Sequence, residues 1–148
     1  MILAIDPGPE QSGYVLYDGT VLDCGVLPNV RMLTMVQHIR DVDVLAIEGI
    51  ASQGKAVGAS TFDTCIWIGR FGERFGWSHV ELVYRMRVKL YLCGSNRVKD
   101  TNIRQALIDR FGGIRAIGLK ASPGPLYKVK SHAWSALAVA VTVEGDMK

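Results

Sequence analysis

Residues 1–27 read MILAIDPGPEQSGYVLYDGTVLDCGVL, and their spacing decides the fold. The opening apolar run stops at Asp6 and a Pro-Gly turn, the pattern of a buried strand that ends in a functional loop. The segment after it predicts two more strands folded about Asp18-Gly19, because an Asp-Gly pair supplies the positive φ of a tight hairpin turn. Three strands therefore come first, as an antiparallel meander.

Beyond the meander the period changes. Val30, Leu33, Val36 and Ile39 recur at helical spacing, and DVDVLAIEG (residues 41–49) then forms an apolar strand closed by Glu48 and Gly49. GIASQGKAVGAS is small and glycine-rich and predicts a loop. Phe62, Ile66, Gly69 and Phe71 predict a helix from about residue 59 to 75, and HVELVY predicts a fifth strand. Two helices follow, around 86–93 and from about 100 to 111. The second turns Ile103, Leu107 and Ile108 inward and takes Asp100 or Thr101 as its cap. ASPGPLYKVK is a loop before a last apolar helix, AWSALAVAVTV. A meander followed by alternating helices and strands defines an α/β chain with a mixed five-stranded sheet and helices packed on both faces.

The chain has 148 residues, enough for one domain with a substantial core, and shows no linker, repeat or low-complexity segment. No apolar run reaches the roughly 18 residues of a membrane span. Residues 1–5 lead into Asp6-Pro7 without the basic start and cleavage site of a signal peptide. Cys24, Cys65 and Cys93 are odd in number and far apart, so reduced thiols and a cytoplasmic location are expected, with no part for a membrane. The net charge of +3 conceals an asymmetry: residues 1–74 carry five Lys/Arg against nine Asp/Glu, and residues 75–148 carry twelve against five. The second half is built to meet a polyanion.

Asp6 and Glu48 each close an apolar strand, where a rigid scaffold meets an open loop. If those strands are neighbours, both carboxylates enter one cleft and need a cation between them; hard oxygen ligands select Mg²⁺ or Mn²⁺. The competing reading makes both acids simple loop caps. In KSHAWSALAVAV (residues 130–141), His132 and Ser135 stand three apart on one helix face and can reach the same cleft. There too a plainer reading stands, with Ser131 as a helix cap and His132 in the first turn.

Three blocks resemble the RuvC-type Holliday junction resolvases. MILAIDPGPEQSGYVLYD resembles their opening strand, Asp-Pro-Gly and the glycine that starts the second strand. VLAIEGIASQGKAVGASTFDTCIWIGRF resembles their second motif, and HAWSALAVAV their terminal helix. The blocks occur in the family's order and nearly span the chain. The resemblance implies an RNase H-like fold over residues 1–148, a homodimer, and metal-dependent hydrolysis of branched DNA such as a four-way junction. Asp6 and Glu48 match the first two acids, and His132 matches a position that is Asp or His; these three are the expected metal ligands, with Ser135 the fourth catalytic position. Ser135 is the departure, since an Asp is usual there. Asp100, Asp63 and Glu10 are the acids that could make good the loss. Brevity and this departure together suggest a divergent, virus-encoded member. Two cations roughly 3.5–4 Å apart would activate a water and stabilise both oxygens of an in-line displacement at phosphorus.

The cationic segment supplies the expected DNA surface. Eleven Lys/Arg fall between residues 84 and 130 against Asp100 and Asp109. Arg85, Arg87 and Lys89 would emerge on one side of an extended segment and fan out around a helix. With Arg97, Lys99, Lys128 and Lys130, and with Lys55 in the loop after Glu48, they form the footprint of a phosphate backbone. Phe62, Trp67 and Phe71 read as core by default. The helix that carries them is also the one whose family equivalent pairs subunits, and Gly69 and Gly72 would permit close approach.

Three rivals remain. A junction-binding protein that has lost catalysis at Ser135 would share every feature above except cutting. An actin-like phosphotransferase needs two lobes, for which 148 residues are too few. Hydrolysis of RNA in hybrids follows from the same fold.

Overall fold

The computed structural model describes residues 1–148 and places five strands in one sheet. These are β1 (Ile2–Asp6), β2 (Gln11–Tyr17), β3 (Val21–Pro28), β4 (Val44–Gly49) and β5 (Val80–Tyr84), in the order β3-β2-β1-β4-β5. The β1–β2 and β2–β3 pairs are antiparallel, with the turn at Gly19 in positive φ, while β1–β4 and β4–β5 are parallel. Register aligns Ile5 with Ile47, so Asp6 and Glu48 end adjacent parallel strands at the same edge.

Alternation along the strands divides the core in two. Leu3, Ile5, Leu45 and Ile47 face α1 (Asn29–His38) and α2 (Ala59–Phe75), meeting Met32, Leu33, Val36, Ile68 and Phe71. Ile2, Ala4, Ala46 and Val83 face the other way, towards α3 (Arg85–Cys93), α4 (Asp100–Arg110) and α5 (Ala133–Met147). By the same period of two, Asp6 and Glu48 belong to the α5 side. The small side chains of Ala4 and Ala46 there let the alanine-rich α5 pack closely on the strands.

The phase of two helices differs from the sequence expectation. In α1, Met32, Leu33 and Val36 are buried but Val30 is exposed. In α2, Thr64, Ile68, Phe71 and Gly72 face the core, while Phe62 and Ile66 are 59% and 61% exposed. Periodicity locates an apolar stripe without saying which surface covers it, and α2 carries two stripes. Gly72 serves the fold itself, because a Cβ there would collide with the Trp77 ring; Gly69 lies open. Cys24 and Cys93 are half-buried against the α5-side core, Cys65 is exposed, and all three are free. No helix is long and apolar enough to cross a membrane.

Candidate active site

The turn from Asp6 to Glu10 is held by a buried polar network. Ser12 Oγ donates to Asn29 Oδ1 at 2.6 Å and accepts the Gly8 amide at 3.2 Å, while Asn29 Nδ2 donates to the Gly8 carbonyl at 2.8 Å. Asn29 N also donates to the Glu10 carbonyl at 2.9 Å. A satisfied network of this kind is stiff, because each partner lost leaves an uncompensated buried group. It fixes where β1 releases Asp6. Neither Ser12 nor Asn29 was flagged by its sequence context; their only signal is a polar residue at a strand start and another at a helix start.

His132 arrives from the opposite direction, immediately before α5. Its Nδ1 lies 3.0 Å from Asp6 Oδ2. Gly13 makes this approach possible, since a Cβ there would come within 2.6 Å of the His132 carbonyl. His132 itself takes the cap position and Ser131 precedes it with φ 52°, so Ser131 is not the cap. If Nδ1 carries the proton it donates to Asp6, and Nε2 is the ring atom left free.

Asp6 and Glu48 press on each other. Their side chains are only 17% and 14% exposed. The Glu48 carboxyl is raised to about 7: burial is the largest cause, the neighbouring Asp6 charge adds to it, and Arg85 opposes it. Burial also raises Asp6, against the pull of His132 and Arg85. Two desolvated carboxyls at neighbouring strand ends are short of positive charge.

Part of that charge comes from Arg85. Its Nη1 donates to Glu48 Oε1 at 3.1 Å, and its Nη2 pairs with Asp100. Asp100 is free to do this because α4 is not capped by it: Asn102 Oδ1 accepts the Lys99 amide at 2.9 Å instead, and Asp100 stands in the first turn. Arg85 therefore faces the acids, where the sequence placed it on the DNA surface.

Three adjoining cavities surround this cluster. Asp6, Glu10 and His132 line one of about 550 Å³, walled by residues 7–11 and by Ser60, Thr61 and Thr64 of α2. Glu48, Tyr84, Met86 and Lys89 line the second. Arg85, Asp100, Trp134 and Ser135 line the third, where the Arg104 guanidinium stacks 4.7 Å from the Trp134 ring. His132 lines the Asp6 cavity and Ser135 the Arg85–Asp100 cavity, so the two residues border adjoining hollows. Of the candidate replacement acids, Glu10 shares the Asp6 cavity, Asp100 is held by Arg85, and Asp63 is exposed on α2 and lines neither of these. No three His, Cys, Asp or Glu side chains are grouped to hold a metal ion as they stand.

The helical form of residues 85–93 sends its cations apart. Arg85 turns inward, Lys89 lines the cavity beside Glu48, and Arg87 is tied to Glu81 at 2.6 Å and to Asp146, towards the opposite end of the sheet. Lys55, Arg97, Lys99, Lys128 and Lys130 are exposed. Nothing in the sequence pairs Arg104 with Trp134, which meet only through the packing of α4 against α5.

Parallel strands ending in two acids, an antiparallel meander before them and a helix crossing their face define an RNase H-like α/β fold. Within that class the fold is RuvC-like. The chain is similar to the structure of Thermus thermophilus RuvC, with a TM-score of 0.67 at 20% identity, over 95% of this chain and 91% of that one. It is likewise similar to T. thermophilus RuvC in complex with a Holliday junction substrate, with a TM-score of 0.65 at 21% identity, over 95% and 90%. No family model matches the sequence, and no curated protein does.

Proposed function

We propose that this chain is a metal-dependent endonuclease of branched DNA, acting on four-way junctions as a homodimer. The observation that carries the reading is the pair of buried, cation-deficient carboxyls, Asp6 and Glu48, set side by side with His132 inside a RuvC-like fold. The second structural neighbour was solved with a Holliday junction, which supports the substrate class.

The donor chemistry suits Mg²⁺ or Mn²⁺: two carboxylates on rigid strand ends, with an imidazole beside them. Asp6, Glu48 and His132 would hold the ion, which on binding would supply Lewis acidity and a more acidic water. The chain's own residues then have distinct tasks. The Ser12–Asn29 network holds Asp6 in register with Glu48. His132, whose Nδ1 lies 3.0 Å from Asp6 Oδ2, would orient that carboxylate or join it in holding the ion. The Ser135 hydroxyl, neutral and a poor ligand, can orient a water in the adjoining cavity. Lys55, Lys89, Arg97, Lys99, Lys128 and Lys130 would hold the DNA backbone, and Arg104, stacked on Trp134, would join them.

The exposed Phe62 and Ile66 stripe of α2, with open Gly69 on the same helix, supports the dimer. Replacing both residues by Glu should reduce the mass measured by light scattering to that of a monomer; an unchanged mass would place the seam elsewhere.

A second reading has an observation of its own. The Arg85–Glu48 ion pair and the neutral Ser135 also suit a protein that holds junctions without cutting them. One experiment separates the two: a synthetic four-way junction and a linear duplex, each with the protein in Mg²⁺, Mn²⁺ or chelator. Symmetric nicking of the junction alone, lost in chelator, is the expected result. Tight junction binding with no nicking in either metal would establish the second reading.

A further inference from the structure

The wall beside Ser135 already contains a cation. Arg85 spans Glu48, at the end of β4, and Asp100, in the first turn of α4, and it lines the same cavity as Ser135. Its guanidinium is permanently charged, and its planar fork can serve two acids at once, which an ammonium cannot do with the same geometry. We propose that Arg85 is a built-in cation of the site, so that each chain takes one divalent ion, at Asp6 and Glu48, and not a pair. This rests on the metal-site reading above and deepens it by fixing the number of ions.

Charge balance carries the argument. Asp6, Glu48 and Asp100, when ionised, set three negative charges against the one positive charge of Arg85, the imidazole aside. The deficit of two is what a single divalent cation cancels. A second ion would leave the site positive by two charges, with no free acid to hold it on the Arg85 side. There the α5 position facing the cavity is Ser135, a neutral hydroxyl, and Asp100 is engaged by the guanidinium. Glu10 lines the other cavity, beyond His132. The missing acid and the resident guanidinium thus occur on one wall: a site without an anionic ligand at residue 135 needs less positive charge there, and Arg85 supplies it. A guanidinium has five N–H donors, so donors remain beyond the two bonds to acids for a phosphate oxygen of the DNA.

The test counts ions instead of cuts. Mn²⁺ is titrated into the protein at pH 8, with calorimetry giving the stoichiometry and the magnetic resonance signal of free Mn²⁺ checking it. Circular dichroism confirms that each variant is folded. The wild-type chain should bind one Mn²⁺. Ser135→Asp alone should still bind one, because Arg85 remains and pairs with the new acid. The double variant Arg85→Gln, Ser135→Asp should bind two. Two ions in the wild type, two in Ser135→Asp, or one in a folded double variant would each overturn the role of Arg85 while leaving the metal site intact. No ion in a folded wild type would remove the metal-site reading, and the proposal with it. Should that double variant fail to fold, Arg85→Met with Ser135→Asp takes its place, with the same counts expected and the same count overturning the proposal.

Discussion

The two walls of the cleft differ in where their positive charge comes from. On the β1/β4 wall, Asp6 and Glu48 are buried together and raised in pKa, so the fold leaves a charge to be supplied from outside. On the α3/α4 wall, Arg85 already lies between Glu48 and Asp100. One wall waits for a cation and the other has one built in. The lesson is that a candidate active-site acid cannot be judged by its presence alone, since Glu48 belongs to both walls and its availability depends on a guanidinium from another element.

The strongest attack on this contrast compares Glu48 with Ser135. Glu48→Gln should lower junction cutting by at least about a hundredfold, the scale on which removing one electrostatic group from a reacting centre acts. Junction affinity should stay nearly unchanged, because no phosphate contact is lost. Ser135→Ala should cost no more than about threefold, since that hydroxyl faces the other cavity. Rates measured with one labelled junction decide both. Equal losses in the two variants would merge the walls into one site.

Gly13→Ala tests the first wall from behind. The added methyl must displace the His132 backbone, and overpacking of this kind costs about 1–3 kcal/mol. Cutting should fall about tenfold while DNA binding holds. A variant with wild-type cutting would show that the His132–Asp6 contact is not needed for the reaction.

How much of this was legible follows from the kind of signal each part left. Asp6 and Glu48 stood out because each ends an apolar run, and a run of that kind becomes a central strand whatever its neighbours are. Their adjacency was not legible, since the apolar runs leave open whether the two strands are neighbours; the parallel pairing of β1 with β4 supplies it. Arg85 was not legible in the same way. Its alternation with Met86 and Arg87 is equally a surface pattern, and its partner Asp100 lies fifteen residues on, placed by the start of a helix whose cap was misassigned. The stripe of α2 was misread for a related reason: Phe62 and Ile66 are its most apolar outward residues, while Thr64, next to them, is buried. Local pattern reports what a segment can bury. It does not report what arrives to cover it.

A smaller effect sharpens the second wall. Lys89 lines the cavity at Glu48, and Lys55 lies exposed in the loop after it, whereas Arg87 is held by Glu81 and Asp146. Each phosphate contact removed lowers the slope of log affinity against log salt by about 0.9. Lys55→Gln and Lys89→Gln should each flatten the slope by that amount, and Arg87→Gln should leave it unaltered. A flattened slope for Arg87→Gln alone would put the DNA across the far end of the sheet.

The last test needs no DNA. A carboxyl raised from 4.5 to about 7, chiefly by burial and in part by the charge of Asp6, is favoured by the fold in its protonated form. Its contribution to stability is therefore fully present below about pH 4.5 and is lost as pH rises through 7. Asp6 is raised too, so it acts in the same direction. Glu48→Gln cannot ionise. Relative to wild type, it should gain about 2–3 kcal/mol between pH 5 and pH 8, given about 1.4 kcal/mol per pKa unit. Denaturant melts at the two values measure the difference. Adding Mg²⁺ at pH 8 should stabilise the wild type, because an ion that binds only the folded state draws the equilibrium towards it, and should do little for Glu48→Gln. If the pH dependence is absent, the two carboxyls are better solvated than their burial implies, and the first wall is not short of charge. If Mg²⁺ stabilises both proteins equally, the ion binds away from Glu48, and the difference between the walls lies in Arg85 alone.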